Sequence, residues 1–148
     1  MSIRPSKAAA TLVLAVAACC GLARSPNVRA QSTAASSALY TDAQAQRGVD
    51  PYETHCAMCH GANMEGAQGA TLLGPTFTSH YETVGALMQF IVQNMPMDNP
   101  ASLPHEDYVD ILAYILLKNG WPSGIRALTF DGANASKAPL AQTAPTPQ

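Results

Sequence analysis

Cys56-Ala57-Met58-Cys59-His60 constrains this chain more than any other stretch, because two thiols and an imidazole fall within five consecutive residues. The sequence has two further cysteines, Cys19 and Cys20, in a segment that does not read as domain material. Arg4 and Lys7 precede an apolar run from Ala8 to Ala18, the run breaks down at Arg24 and Pro26, and no acidic residue occurs before Asp42. A basic start followed by an apolar core of roughly 7–15 residues is the layout of a secretory signal; a spanning helix needs about 20 apolar residues. Residues 1–30 are therefore expected to be a signal peptide, cut after Val28-Arg29-Ala30 so that Gln31 begins the mature chain. The competing site lies before Cys19 in Val16-Ala17-Ala18-Cys19, which is similar to a bacterial lipobox and would leave a lipidated Cys19 at the membrane surface. In both cases Cys56 and Cys59 are the pair that stays in the folded part. A disulfide between them would close too small a loop to staple a small fold, so the pair serves something local.

Removing residues 1–30 takes away Arg4, Lys7, Arg24 and Arg29. Arg47, Lys118, Arg126 and Lys137 remain against ten acidic residues, a net charge of −6 with histidines neutral. Phosphate contact calls for a basic face, so nucleic acid is excluded as a partner; a basic or neutral protein surface is the better match. Residues 31–39 are Ser, Thr and Ala with almost no bulky apolar side chain, and residues 126–148 end in a Pro/Ala-rich run. Both read as tails, flexible and disordered respectively, which leaves residues 40–125 as the folded domain.

Three helical stretches are expected there, with no alternating strand pattern. Tyr108, Ile111, Leu112, Ile115 and Leu116 recur at three- and four-residue steps, making one apolar face of a helix over His105–Asn119 that Gly120 and Pro122 stop. A second helix runs from a capping Thr83 to about Asn94, with Leu87, Phe90 and Ile91 inward. The first spans Thr41 to about Met58 but contains Asp50-Pro51, so it should kink or split, with Asp50 capping the second piece and Pro51 at its first position. Gly61 to Tyr81 carries five Gly and Pro residues and reads as irregular loop. So small a helical domain has a poor core of its own, and a large apolar cofactor would supply the missing interior.

The pattern Cys-x-x-Cys-His is the attachment signature of c-type haem. The two thiols leave one helical turn toward the two vinyl groups of a single porphyrin, and the adjacent imidazole reaches the iron from the same side. A thioredoxin-like redox pair would need a strand–helix context that is missing here. A zinc site built on His55, Cys56, Cys59 and His60 would lack a second ligand pair at finger spacing. The other axial position decides what the iron can do: filled by a protein ligand it passes electrons, open it binds gas or peroxide. Met95 and Met97 in Asn94-Met95-Pro96-Met97 are candidates, as are His80 and His105, while Met88 reads as core filling.

With these residues in place, Ala45 to Gly124 resembles the small class I cytochromes c, and is most similar to those accompanying quinoprotein alcohol dehydrogenases. The resemblance is carried by Arg47-Gly48, Cys56 to Gly61, Leu73-Gly74-Pro75-Thr76-Phe77, Asn94-Met95-Pro96-Met97, and Tyr108 through Asn119-Gly120-Trp121-Pro122-Ser123-Gly124. It implies an all-α fold of three to four helices wrapped around one covalently bound haem c. It also implies thioether links at Cys56 and Cys59, His60 as proximal ligand, the Pro75 carbonyl on the far nitrogen of His60, and Met95 as distal ligand with Met97 as runner-up. Gly48 and Tyr52 would pack the first helix against the face carrying Tyr114. Two departures stand out: Pro51 in the first helix, and Pro104 where relatives often have a capping Ser or Thr.

The expected function is electron transfer in the periplasm, without catalysis, between redox proteins such as a dehydrogenase donor and an oxidase acceptor. A dedicated cytochrome subunit of such a complex is the alternative, and a haem sensor or peroxidase with an open iron a third. Membrane attachment is expected only if Cys19 is lipidated.

Overall fold

The computed structural model describes residues 38–141. Residues 1–37 and 142–148, with the signal segment, both cleavage candidates and most of the N-terminal segment, lie outside the described residues. Among the described residues the elements are helical, joined by one isolated antiparallel bridge between Thr83 and Pro139, and no helix is long and apolar enough to cross a membrane.

Helix α1 (Asp42–Arg47) starts at Thr41, whose hydroxyl accepts the Gln44 N–H at 3.2 Å. The chain turns at Gly48 into α2 (Val49–His55). The split expected at Asp50-Pro51 thus falls at Gly48. Asp50 does not cap; it sits in the first turn of α2, where a negative charge suits the helix N-terminus. Pro51 also falls in that turn, where an N–H would have no partner in the helix. Gly48 is needed by the packing. A Cβ there would lie 2.0 Å from the Asp110 carbonyl oxygen and 3.0 Å from the Tyr114 Cβ, on helix α6 (His105–Lys118).

Two contacts brace this crossing: Arg47 grips Asp110 through Nε at 2.8 Å and Nη2 at 3.1 Å, and Tyr52 meets Tyr114 edge-on at 5.5 Å. Helix α6 buries Tyr108, Ile111, Leu112, Ile115 and Leu116 as its period requires, and ends before Gly120 at φ +80°. Pro104 offers no side-chain cap. Its carbonyl accepts the N–H of Asp107 and Tyr108 instead, at 3.1 and 3.2 Å.

Helix α5 (Val84–Asn94) is capped by Thr83, and it buries Leu87 and Ile91 together with Val84, Gly85 and Met88. Phe90, expected inward, is 39 % exposed and lies at the edge with its ring 5.3 Å from Tyr81. The loop from Gly61 to Tyr81 contains a short helix, α4 (Gly74–Thr78), with Pro75 in its first turn.

The largest departure concerns residues 126–148, read above as disordered. Residues 126–141 are packed: they carry α7 (Phe130–Ala135) and bury Leu128, Ala133 and Leu140. Helix α5 begins with N–H groups that lack partners within the helix, and this C-terminal strap supplies them. Val84 N–H donates to the Ala138 carbonyl at 2.9 Å and Gly85 N–H to that of Ser136 at 3.1 Å. The strap runs so close that a Cβ on Gly85 would lie 2.5 Å from the Ser136 oxygen. At its start, the buried Gln44 amide donates to the Leu128 carbonyl and accepts the Leu128 N–H, both at 2.8 Å. Composition hid the strap because main-chain bonds and three spaced apolar residues order it.

Candidate haem site

Cys56 sits where α2 gives way to a single turn, α3 (Ala57–His60). Its carbonyl accepts the N–H of Cys59 at 3.1 Å and of His60 at 2.9 Å, so one turn carries both thiols and the imidazole. Both cysteines are free and half-buried. Burial first, and the neighbouring Cys59 second, push the Cys56 thiol up to about 11. Tyr52, fully buried on α2, ties down the end of this turn by donating its hydroxyl to the Gly61 carbonyl at 2.7 Å. Burial raises its own pKa.

Beyond the turn the chain curls back on it. Ala67 and Gly69 both donate their N–H to the Cys59 carbonyl, at 3.1 and 2.8 Å, and Gly66 donates to that of His60 at 2.7 Å. Fully buried Met64 anchors the loop in the core. The result is an oriented imidazole: His60 Nδ1 lies 2.7 Å from the Ala70 carbonyl. A carbonyl only accepts, so Nδ1 carries the hydrogen; in the neutral ring the lone pair then lies on Nε2, the form in which histidine ligates a metal. Gly69 makes room for the ring, since a Cβ there would sit 3.0 Å from His60 Cε1.

The resemblance gave the orienting role to Pro75. The structure gives it to Ala70, because the loop folds back over His60 before the chain reaches Pro75. The Pro75 carbonyl accepts the Ser79 N–H at 2.9 Å within α4. The approach to α4 is pinned by Asn119 at the end of α6, whose amide accepts from Gly74 N–H and donates to the Leu72 carbonyl, both at 2.9 Å.

Met95 ends α5 in extended conformation and is half-buried against the core, whereas Met97 is 75 % exposed. The Met95 carbonyl accepts the hydroxyl of buried Tyr108 at 2.8 Å. Met58 is 79 % exposed and Met88 fully buried. His55, His80 and His105 are exposed, and His105 stacks on Phe130 at 3.6 Å. Among the described residues no three His, Cys, Asp or Glu side chains gather as a metal site.

Sequence reasoning missed Ala70, Gly69, Tyr108 and Asn119. Ala70 acts through its main chain, which leaves no sequence signal. Tyr108 had one, since a tyrosine on a buried face needs a partner for its hydroxyl, and so did Asn119, a polar side chain at a helix end just before a glycine. Concavity is no guide: two surface grooves of about 400 and 460 Å³, beside Gly85–Ser136 and beside Arg47–Asp110, do not include the Cys56–His60 turn.

Two thiols on one turn, an imidazole with its far nitrogen tied and its near one free, and a glycine cradle beside it fit a covalently attached haem. The fold and this donor set define a c-type cytochrome. Residues 43–115 match the family model described as cytochrome C oxidase, cbb3-type, subunit III, and this stretch is a monohaem c-type cytochrome domain of the all-α class I fold, with haem c as its covalent cofactor. Such a domain transfers electrons and works with redox partner proteins. No curated protein and no solved structure matches the chain.

Proposed function

We propose that this protein is an exported, periplasmic carrier of single electrons in which Cys56 and Cys59 form the thioether links, His60 is the proximal ligand and Met95 the distal one. The observation that carries the proposal is the tethered imidazole, with His60 Nδ1 held by the Ala70 carbonyl at 2.7 Å and Nε2 left free on the same turn as both thiols. When bound, the haem supplies reversible one-electron chemistry at its iron. The Ala70 hydrogen bond orients the His60 ring. Half-burial favours Met95 over the 75 % exposed Met97, which points into solvent-accessible surface. Methionine as second axial ligand raises the potential relative to a histidine pair, which suits delivery toward a terminal oxidase. With His60 and Met95 both holding the iron, no open position would be left for a substrate, and the role would be carriage of electrons. Donors of the quinoprotein alcohol dehydrogenase type are part of the proposal, on the strength of the sequence resemblance. The export signal at residues 1–30 is the basis for the location.

Absorption spectroscopy of the intact protein tests this reading. The oxidised form should show the weak long-wavelength charge-transfer band of methionine–iron bonding, and the reduced form should bind carbon monoxide slowly. Absence of the band together with rapid carbon monoxide binding overturns carriage in favour of a sensor or peroxidase.

A second reading, a cytochrome subunit fixed in a larger complex, is favoured by the family description, which names an oxidase subunit. Co-purification of a stoichiometric dehydrogenase or oxidase from native membranes or periplasm would select it over a free shuttle.

A further inference from the structure

We propose that Tyr108 is a positioning residue for Met95: its hydroxyl, by holding the Met95 carbonyl, keeps the thioether at the iron. The proposal rests on the reading of Met95 as distal ligand. Met95 is the last residue with ties on both sides. Its N–H donates to the Ile91 carbonyl at 2.8 Å, closing α5, and its carbonyl accepts the Tyr108 hydroxyl at 2.8 Å, reaching α6. Beyond it the chain is loosely held. Met97 to Ser102 are exposed, and the main-chain bond in this stretch is the local one from Asn99 N–H to the Pro96 carbonyl, at 3.0 Å. The phenol is therefore the long-range contact that fixes where the peptide after α5 lies relative to α6.

Tyr108 is well placed for this. It is 1 % exposed, and its own N–H is committed to the Pro104 carbonyl at 3.2 Å, so neither ring nor backbone is free to drift. The same helix ends at Asn119, which clamps Leu72 and Gly74 just past the Ala70 carbonyl that orients His60. Tyr108 and Asn119 are eleven residues apart, about 16 Å along a helix rising 1.5 Å per residue. Helix α6 thereby sets one rigid distance between the segment on the proximal side and the segment on the distal side. A methionine–iron bond is sensitive to such spacing, because the side chain must reach across the ring from a fixed backbone point.

The test uses the intact holo-protein and follows the methionine charge-transfer band of the oxidised form during an alkaline titration. Tyr108→Phe keeps the ring and removes the hydroxyl, so folding and covalent haem content should be unchanged. Its band should be lost at a pH about one unit lower than in the wild type, a change of about tenfold in the equilibrium between bound and released methionine for a one-proton displacement. The reduction potential should fall with it. Gln44→Ala controls for general loss of stability, since it breaks two buried bonds to Leu128 and none to the Met95 segment; its band midpoint should stay at the wild-type value. Met95→Ala should abolish the band. If Met95→Ala keeps the band, the ligand reading fails and the positioning role goes with it. If Met95→Ala loses the band while Tyr108→Phe titrates like wild type, or Gln44→Ala shifts as far as Tyr108→Phe, the positioning role is overturned and the ligand reading stands.

Discussion

The two segments proposed to flank the haem are built in opposite ways. The proximal one, from Cys56 to Leu72, is stitched to itself: Gly66, Ala67 and Gly69 bond back to Cys59 and His60, Leu72 N–H reaches the Met64 carbonyl at 2.9 Å, and Met64 is buried completely. The distal one, from Met95 to Ser102, is exposed past Pro96 and hangs from α6 by the Tyr108 hydroxyl. A loop held by contacts a few residues apart loses little chain entropy for each bond it gains. A loop hung by one long-range contact depends on the whole frame for its place. Proximal geometry is therefore held largely by local bonds, and distal geometry by the contact with α6.

The harshest way to break this comparison removes the proximal anchor altogether. Replacing Cys56 and Cys59 together by alanine should abolish covalent haem, read as the mass of the denatured chain, with no haem-bearing species left.

Insertions probe the difference next. Two glycines after Ala67 should cost about 2–4 kcal/mol in denaturant unfolding, because the bond from Gly69 to Cys59 is lost along with the Ala70 carbonyl's reach to His60. The same insertion after Asn99 should cost under about 1 kcal/mol, since lengthening an exposed loop adds little closure entropy. Equal costs at the two sites would erase the distinction.

A single methyl group sharpens it further. Gly69→Ala places a Cβ 3.0 Å from the His60 ring and should lower stability by about 1–2 kcal/mol, in the range for overpacking, while shifting the haem Soret maximum through the tilted imidazole.

The smallest effect is a pH dependence confined to the chain before haem attachment. The Cys56 thiol is raised from an ordinary value near 9 to about 11 by burial. A raised folded-state value means that the folded form holds its proton more tightly than the unfolded chain. The contribution to stability is thus complete below about 9 and is lost as pH rises through about 11. The haem-free chain should accordingly lose stability across that window, weakly because the thiol is partly exposed. In the haem-bearing protein a thioether has no proton to lose, and this dependence should vanish. Its persistence there would show that Cys56 is not linked.

Much of the molecule was legible in the sequence where a local rule applied. The faces of α5 and α6, the caps at Thr83 and Gly120, and the haem turn each follow from residue types a few positions apart. Close approach of the first helix to the last was legible too, in Gly48 with Tyr52 and Tyr114. Where several local rules competed, the reading slipped by a few residues. Proline marked a break in the first helix, but the break fell at Gly48 because contact with Asp110 left no room for a side chain there. Phe90 fitted the apolar period yet lies at the edge, since Tyr81 offers it a partner outside the core.

The sequence by itself determined the cofactor and its attachment point, because two thiols and an imidazole on one turn form a chemical constellation that is complete within five residues. It also determined the all-helical class, through periodicities that need no partner to be read. Only the tertiary structure decided that Ala70 and not Pro75 orients His60, that Tyr108 holds Met95, and that residues 126–141 form a strap over α5. Each of these rests on a main-chain carbonyl or N–H meeting a group distant in sequence or brought close by a loop's path. Every residue carries those groups, so composition cannot mark the ones that are used; the fold selects them by leaving some helix ends and loop carbonyls without a partner until another segment arrives.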